Sequence, residues 1–438
     1  MFNLKFKSLF GRFNYDFNFN DDVTIITGPN GYGKSTILRT IDAISKGING
    51  ISYFLNLNFE EMQFSNLKTG DKIIIKKTDE KLYINGYELN LEFFRQIMLY
   101  MRRYAREIDY NKVYDKRRDQ RYTLEEYILN NFSENDFNSR NDEIFFNMDF
   151  RYSFSKKFKD ADIMKNLKAV QEIKERKEIV GDIYYIKEQR LIITDEERKK
   201  EEDEIEFIKQ LPGKFKKIIT EVSNNYSAIS NKLDSSYPDR LFSTRVGITE
   251  EEYEKEIDKM NEKLEKIKKF EISEIQLSKN LGFKEEHSKA LKIYFDDFQQ
   301  KYKVYEQFIS QLELFTNIIN SRLNFKKIKI SRDNGIIVID DNDEEIELRK
   351  LSSGEQQEIV LFYKLIFDVE ENILLLIDEP EISLHILWQK KFMDDLLNII
   401  NHKKIKVIVA THSPQIISNH LDKQIDLGSL YSNEFNSW

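Results

Sequence analysis

Alternating apolar and polar positions open the chain. Asn3 to Phe10 and Phe13 to Phe19 repeat with the period of two expected of half-buried strands, and Val23 to Ile26 is a short buried run. A helix is expected after it, to about Ser45, followed by strands over Ser52–Leu57, Lys72–Lys77 and Lys81–Leu91, the last turning at Asn85-Gly86. Residues 92 to about 180 read as mostly helical and irregular. Asp182 to Ile193 begins as a buried strand and ends in the polar triplet Glu188-Gln189-Arg190. From about Thr194 to Phe325 the pattern is charged helix. Apolar residues fall at Tyr253, Ile257, Met260, Leu264 and Ile267, and again at Leu291, Tyr294, Phe298, Tyr305, Phe308, Leu312, Phe315 and Ile319. Two heptad segments flanking a break near Gly282 predict an antiparallel coiled-coil hairpin, with an ordinary helical subdomain as the alternative. Pro212-Gly213 and Pro238 predict a segmented arm and not one rod. Lys327 to Leu348 returns to strands around an Asn334-Gly335 turn, and the carboxylates from Asp340 to Glu345 read as a solvated second turn.

Chemistry enters where these elements end. Gly28-Pro29-Asn30-Gly31-Tyr32-Gly33-Lys34-Ser35-Thr36 joins the run at Val23–Ile26 to a helical pattern, which is the strand–loop–helix context of a phosphate-binding loop. Glycines there let successive backbone N–H groups face phosphate oxygens at a positive helix end, Lys34 reaches the outer phosphates, and the Ser35 hydroxyl suits Mg²⁺. Leu351-Ser352-Ser353-Gly354-Glu355-Gln356-Gln357 opens another helix with an anion-binding start. Ile373 to Ile377 is a wholly apolar strand that ends in Asp378-Glu379-Pro380: Asp378 suits a Mg²⁺-bound water and Glu379 a general base. A second apolar strand, Val407 to Ala410, ends in Thr411-His412-Ser413, at the strand end where open α/β sheets gather ligands.

Composition narrows the partners. Over 438 residues, 33% are charged and 40% hydrophobic, with a formal charge of −8, so affinity for nucleic acid requires a local patch. One candidate is Arg102, Arg103, Arg106, Lys112, Lys116, Arg117, Arg118 and Arg121, interleaved with tyrosines; it reads either as a solvated face or as a phosphate- and base-binding surface. The absence of cysteine excludes disulfides and thiolate metal sites. No apolar run approaches the roughly 20 residues that cross a bilayer, and the N-terminus lacks a signal-peptide layout. A cytoplasmic protein with no membrane association is the expectation.

Loop, serine-glycine helix start, acidic strand and histidine strand, in that order, resemble the ABC-type ATPases over about residues 1–90 and 326–425 plus the Gln189 segment. The resemblance implies ATP and Mg²⁺ as ligands. Asn30, Gly31, Tyr32, Gly33, Lys34, Ser35 and Thr36 would bind nucleotide as the Walker A loop, with Ser352 and Gly354 of the signature acting from a second subunit. Ser35, Asp378 and Gln189 would serve the metal, with Glu379, His412 and Gln189 catalytic. The implied fold is α/β: an ABC ATPase head with a P-loop mixed sheet and an N-terminal antiparallel β subdomain, carrying a helical or coiled-coil insertion. The expected domains are an N-terminal lobe (1–91), a helical insertion with the basic cluster (92–181), a Q-loop segment (182–193), a helical arm (194–325) and a C-terminal lobe (326–438). Ser353 replaces a usual glycine and His385 a usual D-loop aspartate. With the long insertion, these departures look like the SMC/RecF/OLD-like branch, and most like OLD-like, Septu-type and PARIS-type ATPases of bacterial anti-phage systems. That implies a homodimer of heads or a higher homo-oligomer, a separate effector such as a nuclease or Toprim-like protein, and DNA or a phage protein as trigger. The alternative is a DNA-binding repair or chromosome-maintenance ATPase of the RecF/SMC type; a transporter subunit fits poorly with so long an insertion.

Overall fold

The computed structural model describes residues 2–19, 21–78, 81–90, 92–95, 108–109, 112–115, 120–122, 160–176, 179–187, 207–272, 282–382, 384–403, 405–417 and 419–435. Two compact units emerge. The first comprises Met1–Glu188, Val369–Ile382 and Gln389–Trp438, the second Gln189–Asp368 and Ser383–Trp388.

The first unit is built on two sheets. Strands β1 (Phe2–Leu9), β2 (Phe13–Phe19), β4 (Glu61–Asn66), β5 (Lys72–Thr78), β6 (Lys81–Ile84) and β7 (Tyr87–Asn90) form an antiparallel sheet in the order β2-β1-β4-β5-β6-β7. Along β2 the odd positions Phe13, Tyr15, Phe17 and Phe19 are all buried, as the alternation predicts. The second sheet, in the order β11-β15-β16-β3-β17, joins β11 (Ile183–Ile186), β15 (Leu374–Asp378), β16 (Lys406–Ala410), β3 (Val23–Thr27) and β17 (Gln424–Asp426), and every pairing is parallel. The mixture of strand directions thus lies between two sheets and not within one. Both sheets share one core with α1 (Lys34–Ser45) and α3 (Asp160–Arg176). Helices α8 (Ile386–Lys403), α9 (Pro414–Ile417) and α10 (Leu427–Phe435) complete the C-terminal stretch.

Three details of this unit differ from expectation. Ser52–Leu57 is not a strand: a 3₁₀ turn over Gly47–Gly50 runs directly into helix α2 (Ile51–Asn56), which buries Ile51 and Phe54 one helical turn apart. The strand that pairs with β1 is instead β4, whose alternation rests on Met62 and Phe64 alone. Within residues 92–181, read as mostly helical and irregular, β8 (Ile108–Asp109), β9 (Lys112–Asp115) and β10 (Gln120–Tyr122) form a small antiparallel sheet. Arg102, Arg103, Arg106, Lys116, Arg117 and Arg118 lie outside the described residues, as does Gln189.

In the second unit, α4 (Phe207–Ser243), α5 (Glu250–Lys269) and α6 (Ser288–Asn320) pack beside a three-stranded sheet of β12 (Lys326–Ser331), β13 (Gly335–Asp340) and β14 (Glu345–Ile346), followed by α7 (Ser353–Tyr363). Helix α4 passes through both Pro212 and Pro238 without breaking. Each proline forfeits a backbone hydrogen bond, at about 3 kcal/mol in an isolated helix; burial of Phe207, Ile208, Leu211, Phe215 and Ile219 on one face offsets it. Partner pairs fix the helix directions. Lys301 meets Asp234 at 2.9 Å, Tyr226 faces Tyr305 at 5.0 Å and Phe215 faces Phe315 at 5.6 Å, so α4 and α6 run antiparallel. Tyr253 faces Phe295 at 5.8 Å, Gln299 donates to Glu256 at 3.3 Å and Lys263 lies over the Tyr302 ring at 4.6 Å, so α5 and α6 run parallel. The expected antiparallel hairpin of α5 and α6 is therefore overturned. Eighteen residues, 270–287, separate these helices, and at about 3.3 Å per residue they easily retrace the ~30 Å length of α5. Because α6 lies between two helices, Ile293 and Phe295 are buried while Tyr294, expected on the seam, is 44% exposed.

The turn expected at Asn334-Gly335 joins β12 to β13, and Asp340 accepts from the N–H groups of Asn342 and Glu344 at 2.8 and 2.9 Å, which makes the acidic run a solvated turn. Gly335 has φ +70°, and a Cβ there would stand 2.2 Å from the Pro212 carbonyl oxygen of α4. Gly213, one residue along α4, has open space around it. Gly335→Ala is expected to destabilise by at least the ~1–3 kcal/mol of a strained left-handed residue, whereas Gly213→Ala should stabilise by up to ~1 kcal/mol through helix propensity. Urea unfolding of the two variants tests this opposition.

Candidate nucleotide site at the carboxyl edge of the parallel sheet

All five strands of the parallel sheet point the same way, so Thr27, Asp378, Ala410 and Ile186 end on one edge. The loop Gly28–Gly33 starts there. Gly33 is left-handed, with φ +94°, and packs a bare α-carbon near Leu9, which lets the chain enter α1 at Lys34. Lys34 is 5% exposed; its Nζ donates to the Gly28 carbonyl at 3.0 Å and lies 3.8 Å from Glu379 Oε1. Asn30, Gly31 and Tyr32 form the loop crown, whose Tyr32 carbonyl accepts from Tyr15 Oη at 2.9 Å, and the Thr36 carbonyl accepts from Tyr53 Oη at 3.1 Å. Phe13 and Tyr15, the aromatic residues just upstream of the phosphate loop, are core residues, 4% and 3% exposed, and so are not placed to stack on a base; Phe13 packs against Tyr32 and Tyr431.

Asp378 is 1% exposed. Ser35 Oγ donates to its Oδ1 at 2.8 Å and Tyr185 Oη to its Oδ2 at 2.9 Å. A hydroxyl and a carboxylate side by side are the oxygen donors that a hard divalent cation prefers, so Ser35 and Asp378 fit Mg²⁺.

Glu379 follows with φ +45°, an uncommon conformation for a side-chain-bearing residue, held by its N–H on the Ala410 carbonyl at 2.9 Å. The twist delivers its carboxylate to His412, whose Nδ1 lies 2.6 Å from Oε2. Beside them stands Glu381, a residue the sequence reading missed. Its Oε1 accepts from Thr411 Oγ1 at 2.6 Å, from the His412 N–H at 2.8 Å and from the Ser413 N–H at 3.0 Å. Those bonds fix the backbone of the His412 loop and leave the imidazole more than half exposed. Burial, then the hydrogen bond and charge of Glu381, push the Glu379 carboxyl up to about 7, with His412 pulling the other way. A second carboxylate after Asp378-Glu379-Pro380 was the only sequence signal for Glu381. Tyr185 gave none.

Ser352 and Gly354 belong to the second unit. Ser352 caps α7 in a reciprocal box: its Oγ accepts from the Glu355 N–H at 3.3 Å, and Glu355 Oε2 accepts from the Ser352 N–H at 2.9 Å. Lys326 Nζ pairs with Glu355 at 2.9 Å. The helix start therefore already holds a carboxylate.

The AAA ATPase domain family matches residues 10–417 of the sequence. The chain belongs to the AAA ATPase domain family. Within this P-loop ATPase, 123 residues are 32% identical to the cytochrome c biogenesis ATP-binding export protein CcmA of Rickettsia bellii (strain RML369-C), covering 28% of this chain and 60% of that protein. The chain thus spans less than two thirds of that relative's length. Among solved structures it is similar to the Pyrococcus furiosus Smc head domain with an extended coiled coil bound to the C-terminal domain of ScpA (TM-score 0.34, 14% identity, 96% of this chain and 92% of that one). The SMC head domain from Thermotoga maritima is also similar (TM-score 0.31, 14% identity, 95% and 89%). No helix among the described residues of this ATPase is long and apolar enough to cross a membrane.

Because the folded protein holds the Glu379 proton more tightly than the unfolded chain, whose carboxyl titrates near 4.5, that share of stability is complete below about pH 4.5 and lost as the pH rises through about 7. Glu379→Gln stays neutral and removes the loss. Without nucleotide, the Tm advantage of the variant over wild type is expected to grow from about pH 5 to about pH 8. An advantage flat with pH would contradict a buried, proton-holding Glu379.

Proposed function

We propose that this ATPase hydrolyses ATP with Mg²⁺ at the carboxyl edge of the parallel sheet, in a site completed by the signature of a second copy. The observation that carries the reading is the placement of Glu379: it stands 3.8 Å from the Lys34 ammonium and 2.6 Å from His412, and next in sequence to the Asp378 that Ser35 contacts. Lys34 gives up the Gly28 carbonyl for phosphate oxygens, an exchange of a neutral acceptor for a charged one. Glu379 takes the proton of the attacking water, and a carboxyl near 7 is matched to that role at neutral pH. His412, its loop pinned by Glu381, orients Glu379 from the exposed side. Mg²⁺, held by Ser35 and by Asp378, directly or through water, would neutralise charge on the phosphates. Gln189, by its match to the Q-loop glutamine in sequence, belongs to the same assignment as the residue that would sense the metal and the attacking water. Ser352 and Gly354 of a partner head would close over the nucleotide, which makes turnover slow and dependent on head pairing.

The output we assign is that of a sensor or scaffold in an anti-phage defence system, with nucleotide state passed through the helical second unit to a separate effector such as a nuclease. Supporting this are the Ser352-Ser353-Gly354-Glu355 signature, the Asp378-Glu379-Pro380-Glu381 run and the long helical insertion. Cells carrying the chain with its genomic neighbours should resist phage, and Lys34→Ala should abolish the resistance. Glu379→Gln is expected to lower phosphate release by about 10²- to 10⁴-fold while accumulating an ATP-bound dimer on size-exclusion light scattering, and Lys34→Ala to lose nucleotide altogether. Undiminished phosphate release by Glu379→Gln would sink the catalytic assignment.

A further inference from the structure

Asp378 is met by two hydroxyls, one on each oxygen, and only that of Ser35 belongs to the phosphate loop. The other belongs to Tyr185, at the third position of β11, where it pairs in register with Leu376 of the neighbouring strand β15. An ionised carboxylate only accepts, so the one proton of the Tyr185 phenol is committed to Asp378. The result is a bond with a single direction, Tyr185 to Asp378 Oδ2, ending on a carboxylate that is almost fully withdrawn from water.

We infer that Tyr185 is a positioning residue for the divalent cation, locking the Asp378 carboxylate by Oδ2 so that Oδ1 and the Ser35 hydroxyl face the metal together. The inference rests on the proposed Mg²⁺–nucleotide reading of this site. Without the phenol, the carboxylate keeps its Ser35 contact but is free to turn about it, and the cost falls on metal affinity and not on the phosphate loop.

Titration of Mg²⁺ against the full chain with a non-hydrolysable fluorescent ATP analogue tests this by binding alone. Tyr185→Phe is expected to raise the half-saturating Mg²⁺ concentration about tenfold, the lower end for lost outer-sphere partners, and to leave analogue affinity in EDTA unchanged. Tyr185→Leu, which deletes the same hydroxyl beside Leu376 of the neighbouring strand, should shift the Mg²⁺ requirement the same way, and it carries the test if Tyr185→Phe does not fold. A wild-type Mg²⁺ dependence in Tyr185→Phe, or in Tyr185→Leu where that variant alone folds, overturns the inference, as does an affinity loss equal with and without Mg²⁺. Wild-type binding that ignores Mg²⁺ overturns the underlying site reading and this inference with it, and Lys34→Ala, which should lose analogue in both conditions, marks that case.

Discussion

A carboxylate withdrawn from water costs several kcal/mol unless donors replace the hydration it loses. Asp378, 1% exposed at the end of the central strand pair, meets this cost with O–H donors from two distant parts of the chain: Ser35 lies 343 residues before it and Tyr185 lies 193 before it. Satisfying one buried acid thus joins the helix after the phosphate loop, strand β11 and strand β15 at a single point. The parallel pairings β11–β15–β16–β3 supply the alignment, and the Asp378 bonds supply the reason for that register at the strand tips.

Charge balance explains the neighbourhood of that acid. Asp378, Glu379 and Glu381 are all buried within a few residues of one another, and Lys34 is the buried cation among them. Three acids outweigh one ammonium, and the structure relieves the excess in two ways: Glu379 is pushed toward its protonated form, and Oε1 of Glu381 accepts from three donors of the His412 loop. A triphosphate would bring still more negative charge into this edge. Divalent cation and nucleotide would therefore be coupled by electrostatics before any catalytic step, since either the metal or a proton would have to offset what Lys34 does not.

What was legible in the sequence follows from how local each signal is. The runs that became β3, β15 and β16 could be read because strands buried on both faces are apolar at most positions, and the loop at Gly28–Gly33 because its geometry demands glycine. Helix α2 was misread because its placement comes from the turn before it and from two buried residues, a pattern too short to carry a period. Heptads located the faces of α5 and α6 but held no information about direction; the long return segment allowed the parallel arrangement, and α4, disguised by its prolines, took the antiparallel place. Tyr185 was invisible because its meaning lies in a partner 193 residues away, with nothing beside it in sequence to mark it. Glu381 was half-visible, as a carboxylate following a familiar run, and only the three donors converging on it show what it does.

The start of α7 adds a constraint on any reading in which it clamps a phosphate. Its free N–H groups are already partly satisfied by Glu355, which is neutralised in turn by Lys326. An arriving phosphate would exchange with that carboxylate, not fill an empty site, so the gain is the difference between two anions. Helix capping of this kind is worth about 1 kcal/mol, which a doubly charged phosphate group exceeds readily but a weakly charged ligand does not. Release of Glu355 would also free Lys326, giving the exchange a second cation where the phosphate enters. Under that reading the capping box would set a threshold: the helix start would stay closed on itself until a ligand with enough charge were presented.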